Sequence, residues 1–298
     1  MTFSATDAAF EGFRIVRRHP LAIVFWALAY LLFFAIFFAV FGSTLAGVLA
    51  TAKALEGTSN PGMAELQGLG WAYMGMMGLA LPLGLVLSGV LSAAVARAVL
   101  RPSEKSFGYM RLGGDELRVI FVSVALGVMG VLLGTVCFTV VGMVAGFAAA
   151  SGQGWLWLVV VLLGLAVCAV LIWLAVRLSL AIPITFAERR IALFDSFALT
   201  RGRFWPLLGM AVIVFIMTIL ISTLSGIIAM PITMMTGGGI ATLAGYDGQS
   251  TMAILQQIGP AIADWGVLNA LFSALQLGVM YAPFSAAYRD LKGLPIEP

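Results

Sequence analysis

Long apolar stretches separated by short charged ones dominate the chain. Five stretches, 20–52, 66–96, 119–176, 204–246 and 265–288, contain no charged residue, and they run for 33, 31, 58, 43 and 24 residues. One helical crossing of a hydrocarbon layer about 30 Å thick takes about 20 residues. The longest stretch therefore holds two crossings, with Ser151, Gly152, Gln153 and Gly154 supplying the turn between them. The stretch from 204 holds one, because Pro231 and the glycines at 237, 238 and 239 interrupt it before a second fits. The pattern predicts an all-α integral membrane protein with six transmembrane helices, near 21–48, 69–98, 119–149, 155–182, 205–233 and 265–288. In the long segment after the fifth helix, the spacing of Met252, Leu255, Ile258 and Ile262 predicts a short separate helix over 249–263, lying on or dipping into the outer interface.

Composition supports the same class. Hydrophobic residues make up 62% of the chain before its 34 glycines are added, and charged residues only 10%. Soluble domains hold about 45–50% apolar residues with glycine included and about 25% charged. Disordered, collagen-like and disulfide-rich secreted chains are excluded by the same figures.

The charges are placed unevenly. The flank that holds the N-terminus carries 15 Lys and Arg; the opposite flank carries only Lys53, against Glu56, Glu65, Asp247 and Asp264. The positive-inside rule then predicts a multi-pass membrane protein with both termini in the cytoplasm. Trp71, Tyr73, Trp155, Trp157 and Trp265 fall at the outer boundary, where amphipathic rings act as anchors, and Trp205 falls at the inner one. The first apolar stretch is about twice the length of a signal-peptide core, so it is expected to stay as an anchor.

An internal pattern divides the chain into three units, 1–100, 101–190 and 191–298. Phe10 and Arg14, Phe107 and Arg111, and Phe197 and Arg201 stand four apart in the polar segments that lead into alternate helices. Each lead-in is expected to be a short cytoplasmic interfacial helix before a two-helix hairpin. On such a helix the ring enters the headgroup boundary while the guanidinium meets phosphate. The units end alike, with Arg97, Arg177 and Arg289 at the inner boundary. Guanidinium forks match phosphate oxygens. These six arginines are the expected contacts for anionic lipid of the inner leaflet; Arg177, flanked by apolar sequence on both sides, either snorkels to the inner headgroups or converges with Arg97 and Arg289 on one phosphate.

Candidate chemistry is sparse. The single histidine, His19, stands at a helix start, and Cys137 and Cys168 read as small packing residues. No metal-ligand spacing, phosphate-binding loop or nucleophile motif is present, and every acidic residue lies outside the apolar stretches. Catalytic, cofactor, metal and nucleic-acid roles are therefore not expected. What remains is helix packing through small residues four apart: Gly130 with Gly134, Gly142 with Gly146, and Ala270, Ala274 and Gly278. Packing within the chain is the expected use, and a homo-oligomer or membrane-protein partner the alternative.

Segment 177–209 resembles the membrane domain attached to some bacterial glycerophosphoryl diester phosphodiesterases, and its stand-alone relatives. The likeness rests on Arg177, Leu180, Ala181, Pro183 and Glu188, followed by Ser196, Leu199, Thr200, Gly202, Phe204 and Trp205. It implies a multi-helix membrane module. The catalytic half of those enzymes is a soluble barrel with histidine and carboxylates around a metal, which a chain with one histidine and no long soluble stretch does not supply. The expectation is a non-enzymatic scaffold or accessory subunit organising lipids or partner membrane proteins. A carrier or channel-like transporter for a lipid or small uncharged solute is the alternative.

Overall fold

The computed structural model describes residues 4–56, 62–104, 107–111, 113–235 and 251–295. All regular structure among them is helical. In chain order it comprises α1 (Ala5–Ala9), α2 (Glu11–Arg18), α3 (Pro20–Glu56) and α4 (Met63–Leu100). A 3-10 turn at Phe107–Tyr109 precedes α5 (Gly114–Ser151), α6 (Leu156–Leu178), α7 (Ala181–Glu188), α8 (Asp195–Leu199), α9 (Phe204–Met235) and α10 (Thr251–Lys292). Six stretches are long and apolar enough to cross a membrane: Pro20–Leu45, Leu66–Leu100, Phe107–Ser151, Leu156–Glu188, Phe204–Ile232 and Ala263–Lys292. They match the six expected crossings, and the chain reads as a multi-pass membrane protein.

Local chemistry sets the helix ends. Pro20 opens α3, where a missing N–H costs nothing and the ring presets φ. Gly152, at φ 67°, ends α5 in the left-handed conformation that glycine adopts freely. α6 stops at Leu178, ahead of the expected end near 182. Pro183 instead sits in the first turn of α7, where backbone N–H groups lack intrahelical partners anyway. α9 continues through Pro231 to Met235, so that proline does not end it; Gly237, Gly238 and Gly239 lie outside the described residues.

Two expectations about local structure need correction. The separate helix over 249–263 is absent as such: from Thr251 onward these residues are the start of α10, one continuous helix of 42 residues. The Met, Leu and Ile spacing marks a helical face but not where the helix stops, and α10 runs on without a break through Pro260 and Pro283 to Lys292. The second lead-in is a 3-10 turn, not a short helix. Phe107, Gly108 and Tyr109 have φ of 36°, 66° and 64°, which no α-helix accommodates.

Along the bundle α3 touches α4, α4 touches α5, α5 touches α6, α6 touches α9, α9 touches α10, and α10 returns to α3 and α4. α4 and α10 are the inner members, about two-fifths buried over their apolar windows, whereas the other four are at most 17% buried. The core is gathered where the C-terminal halves of α4 and α10 meet the first turns of α3 and α9 and the short helices. Trp26, Leu91, Leu180, Met210, Ala274 and Ala286 are fully or almost fully buried there. The outward faces of α3, α5, α6 and α9 remain apolar and exposed, which hydrocarbon solvates and water does not.

Candidate functional site

The polar groups of the structure concentrate where α4, α6 and α10 end and the short helices begin. Arg97, in the last turn of α4, is 2% exposed, and Glu116, in the first turn of α5, is 1% exposed. They form a direct ion pair through Nη2 and Oε1. Arg97 Nη1 donates to the Tyr109 carbonyl at 2.5 Å, and its Nε stands 3.5 Å from the Glu104 carboxylate. The Phe186 ring of α7 lies beneath both Arg97 and Arg101, with centroids 5.2 and 5.1 Å away. Trp26 of α3 completes the join by donating Nε1–H to the Gly108 carbonyl at 2.7 Å. Gly108 is the residue that fits there: a Cβ would stand 2.7 Å from the Phe25 Cβ, and its φ is positive.

Arg177, at the end of α6, serves the next lead-in. Its Nη1 donates to the Phe197 carbonyl and to Thr200 Oγ1, both at 3.1 Å, while the Trp173 and Phe197 rings flank it at 5.6 and 5.4 Å. Ser196 ties the same turn from the other side. Its hydroxyl donates to the Arg177 carbonyl at 2.6 Å and accepts from the Leu180 N–H at 3.2 Å. Arg177, Leu180, Ser196 and Thr200, all part of the motif in 177–209, thus form one hydrogen-bonded unit. Arg190, also in this stretch, bridges Glu188 at 2.7 Å and Asp195 at 2.5 Å.

Arg289, near the end of α10, is 8% exposed and lies 3.9 Å from the buried Glu11 of α2. Glu11 also accepts from Arg14 at 3.1 Å, and Arg14 reaches Asp7 at 3.3 Å. The hydrogen bond to Glu11, partly opposed by burial, holds the Arg14 guanidinium above its ordinary range. Lys292 joins Glu188 at 3.2 Å, linking α10 to α7.

The expected convergence of Arg97, Arg177 and Arg289 on one phosphate gives way to a different geometry. Each is engaged by a different segment of the chain itself, Arg97 by 109 and 116, Arg177 by 197 and 200, and Arg289 by Glu11. The physical reason is burial: a guanidinium out of water needs a carboxylate or carbonyls at hand, and the lead-ins supply them. Of the other three, Arg14 and Arg111 are exposed but paired with acids, Arg111 to Glu104 at 3.4 Å. Arg201 is exposed beyond the end of α8, with no ion pair among the described residues, and so are Arg17, Arg18 and Arg203. A cleft of about 440 Å³ opens beside Arg97, lined by Arg111, Arg118 and Arg189 together with Glu104, Asp115 and Glu116.

The small-residue predictions divide. Ala270 and Ala274 are buried, and Gly278 lets Trp26 approach to 3.6 Å of where a Cβ would stand. Gly130, Gly134, Gly142 and Gly146 do not pack within the chain: a Cβ at any of them meets nothing within 4 Å, because this face of α5 points outward. The close helix approaches occur elsewhere. A Cβ on Gly12 would stand 2.5 Å from the Val279 Cα, and one on Gly89 2.8 Å from the Ile120 Cα. Trp155, Trp157, Trp205 and Trp265 are all exposed; Trp265 leans on Phe34 and Phe38, with centroids at 5.3 and 5.9 Å. His19 caps α2 beside the Tyr109 ring, and of the two free cysteines Cys168 is exposed and so is not a packing residue.

Sequence reasoning missed Glu11 and Glu116. The available signal was an acid in the first turn of the helix at each of two lead-ins, which also complements the helix dipole. No protein-family model matches the chain, and neither curated proteins nor solved structures yield a significant match.

Proposed function

We propose that the protein is a non-enzymatic scaffold of the bacterial inner membrane that gathers anionic lipid, and through it partner membrane proteins, on its cytoplasmic face. Both termini lie on that face. The chain is built of three hairpin units, 1–100, 101–190 and 191–298. The arginine closing each unit clasps the lead-in of the next, and Arg289 clasps that of the first. On this reading the resemblance of 177–209 to the phosphodiesterase membrane domain is one of architecture: its polar residues hold a turn together.

One observation carries the proposal. Arg97, Arg177 and Arg289 are engaged in holding the short segments to the spans, while Arg17, Arg18, Arg201 and Arg203 stay exposed immediately before α3 and α9. Basic residues at such a boundary attract anionic headgroups. Native mass spectrometry of protein taken from phosphatidylcholine nanodiscs containing phosphatidylglycerol tests it. Replacing Arg17, Arg18, Arg201 and Arg203 together by Gln is expected to reduce retained phosphatidylglycerol about tenfold. Unchanged retention overturns the lipid role.

The carrier alternative draws on one polar cleft between α9 and α10. That cleft covers only the C-terminal half of the α9 span and the N-terminal half of the α10 span, not a path across both.

A further inference from the structure

Between the start and the middle of the α10 span, α9 and α10 flank an uncharged cleft of about 290 Å³. α9 lines it with Ser222 and Ser225, and α10 with Asn269, Ser273 and Gln276, while Trp265 stands at its end nearest the start of the α10 span. Gln276 Nε2 donates to Ser222 Oγ at 3.3 Å across the two helices, and Ser273 Oγ donates to Asn269 Oδ1 at 3.2 Å. These bonds leave the Asn269 amide N–H groups, the Gln276 carbonyl and the Ser225 hydroxyl without a hydrogen bond among the described residues. Polar glue between helices explains the Gln276–Ser222 bond. It does not explain three further polar groups lining one cleft, where hydrocarbon offers them no partner.

We infer that this cleft binds the uncharged, hydroxyl-bearing head of a membrane amphiphile of the diacylglycerol type, its acyl chains lying in the surrounding lipid. The lining supplies both donors and acceptors, which a hydroxyl satisfies by donating and accepting at once. It holds no Lys or Arg, so it offers nothing to neutralise a phosphate. Its volume takes a glycerol-sized head, not a helix about 10–12 Å across. Ser222 and Gly226 line the cleft and are themselves exposed, so the cleft is open at its side and a lipid reaches it laterally. The site requires only that the helices span the membrane, and it does not rest on the arginine-based scaffold reading.

The test is photolabelling of the full chain in phosphatidylcholine nanodiscs doped with a diacylglycerol that carries a diazirine near its ester. Adducts are expected in 222–229 and 265–276, and they should fall about fivefold in an Asn269→Leu, Gln276→Leu variant. A Ser222→Ala, Ser225→Ala variant, smaller in its perturbation, is expected to lose label as well should the first fail to fold. Undiminished labelling in a folded variant, or equal labelling of the same segments by a phosphatidylcholine probe, overturns the inference. So does loss of label on adding free glycerol, which assigns the cleft to a soluble polyol. A Ser225→Cys crosslink in native membranes that captures another protein assigns it to a partner helix and likewise overturns the inference.

Discussion

The Arg97–Glu116 pair shows how a buried charge is tolerated. Two charges out of water attract strongly, but each has lost its hydration, so the pair is weak evidence of net stability while either partner alone is costly. Glu116→Leu leaves a guanidinium that is 2% exposed facing apolar neighbours, with the Tyr109 carbonyl and a more distant Glu104 as its remaining polar contacts. The single variant is therefore expected to lose about 3–5 kcal/mol. Arg97→Met combined with Glu116→Leu is expected to lose much less, since no unpaired charge remains. Thermal unfolding in mild detergent checks the ordering; a double variant less stable than Glu116→Leu refutes it. Neither partner advertised the pair in the sequence. They stand 19 positions apart, beyond any helical repeat, and meet only because the turn at Phe107–Tyr109 folds back under Trp26.

At the level of elements, small residues four apart identify a face of a helix but not what that face meets. Gly134 has nothing within 4 Å of a Cβ, so Gly134→Ala is expected to leave the fold intact and to firm α5 by about 0.5–1 kcal/mol. Gly12→Ala should act in the opposite direction. Its Cβ would stand 2.5 Å from the Val279 Cα, a backbone atom that cannot swing aside, so α2 must lift from α10. Loss of hydrogen-exchange protection in α2 for Gly12→Ala, with α5 protection kept or raised in Gly134→Ala, is the expected outcome; protection of α2 at its original level refutes it. The spans were legible because a long uncharged run has only one stable form in hydrocarbon. The lead-ins were less so, since six to ten polar residues can close as helix or as turn, and the contact of Gly108 with α3 decides for turn. The motif residues Arg177, Ser196 and Thr200 were legible as a group, but their hydrogen bonds emerged only once α6 was seen to stop at Leu178.

For the whole molecule, the number of crossings and the charge asymmetry constrain each other. Six spans return the chain to the side on which it began, so Ser4 and Leu294 must share a compartment and the α5–α6 turn at Gln153 must face the other. The charge count points the same way, with 15 of the 16 Lys and Arg on the flank of the termini. The charge placement checks the crossing number, because a wrong count would scatter the basic residues over both flanks. A fifth or seventh crossing would leave the arginine clusters at the end of the chain on the translocated side. The joined geometry adds a third constraint. Arg289 reaches Glu11, and Lys292 reaches Glu188, so the ends of α10, α2 and α7 cannot lie on opposite faces of a bilayer about 30 Å thick. With Cys137 and Cys168 replaced by serine, an impermeant maleimide added to intact cells is expected to label Gln153→Cys but neither Ser4→Cys nor Leu294→Cys. Both terminal sites should react once the inner face is opened. Labelling of one terminus from outside would break the even count and the clasp geometry together, because no arrangement of these helices keeps Arg289 beside Glu11 with the termini apart.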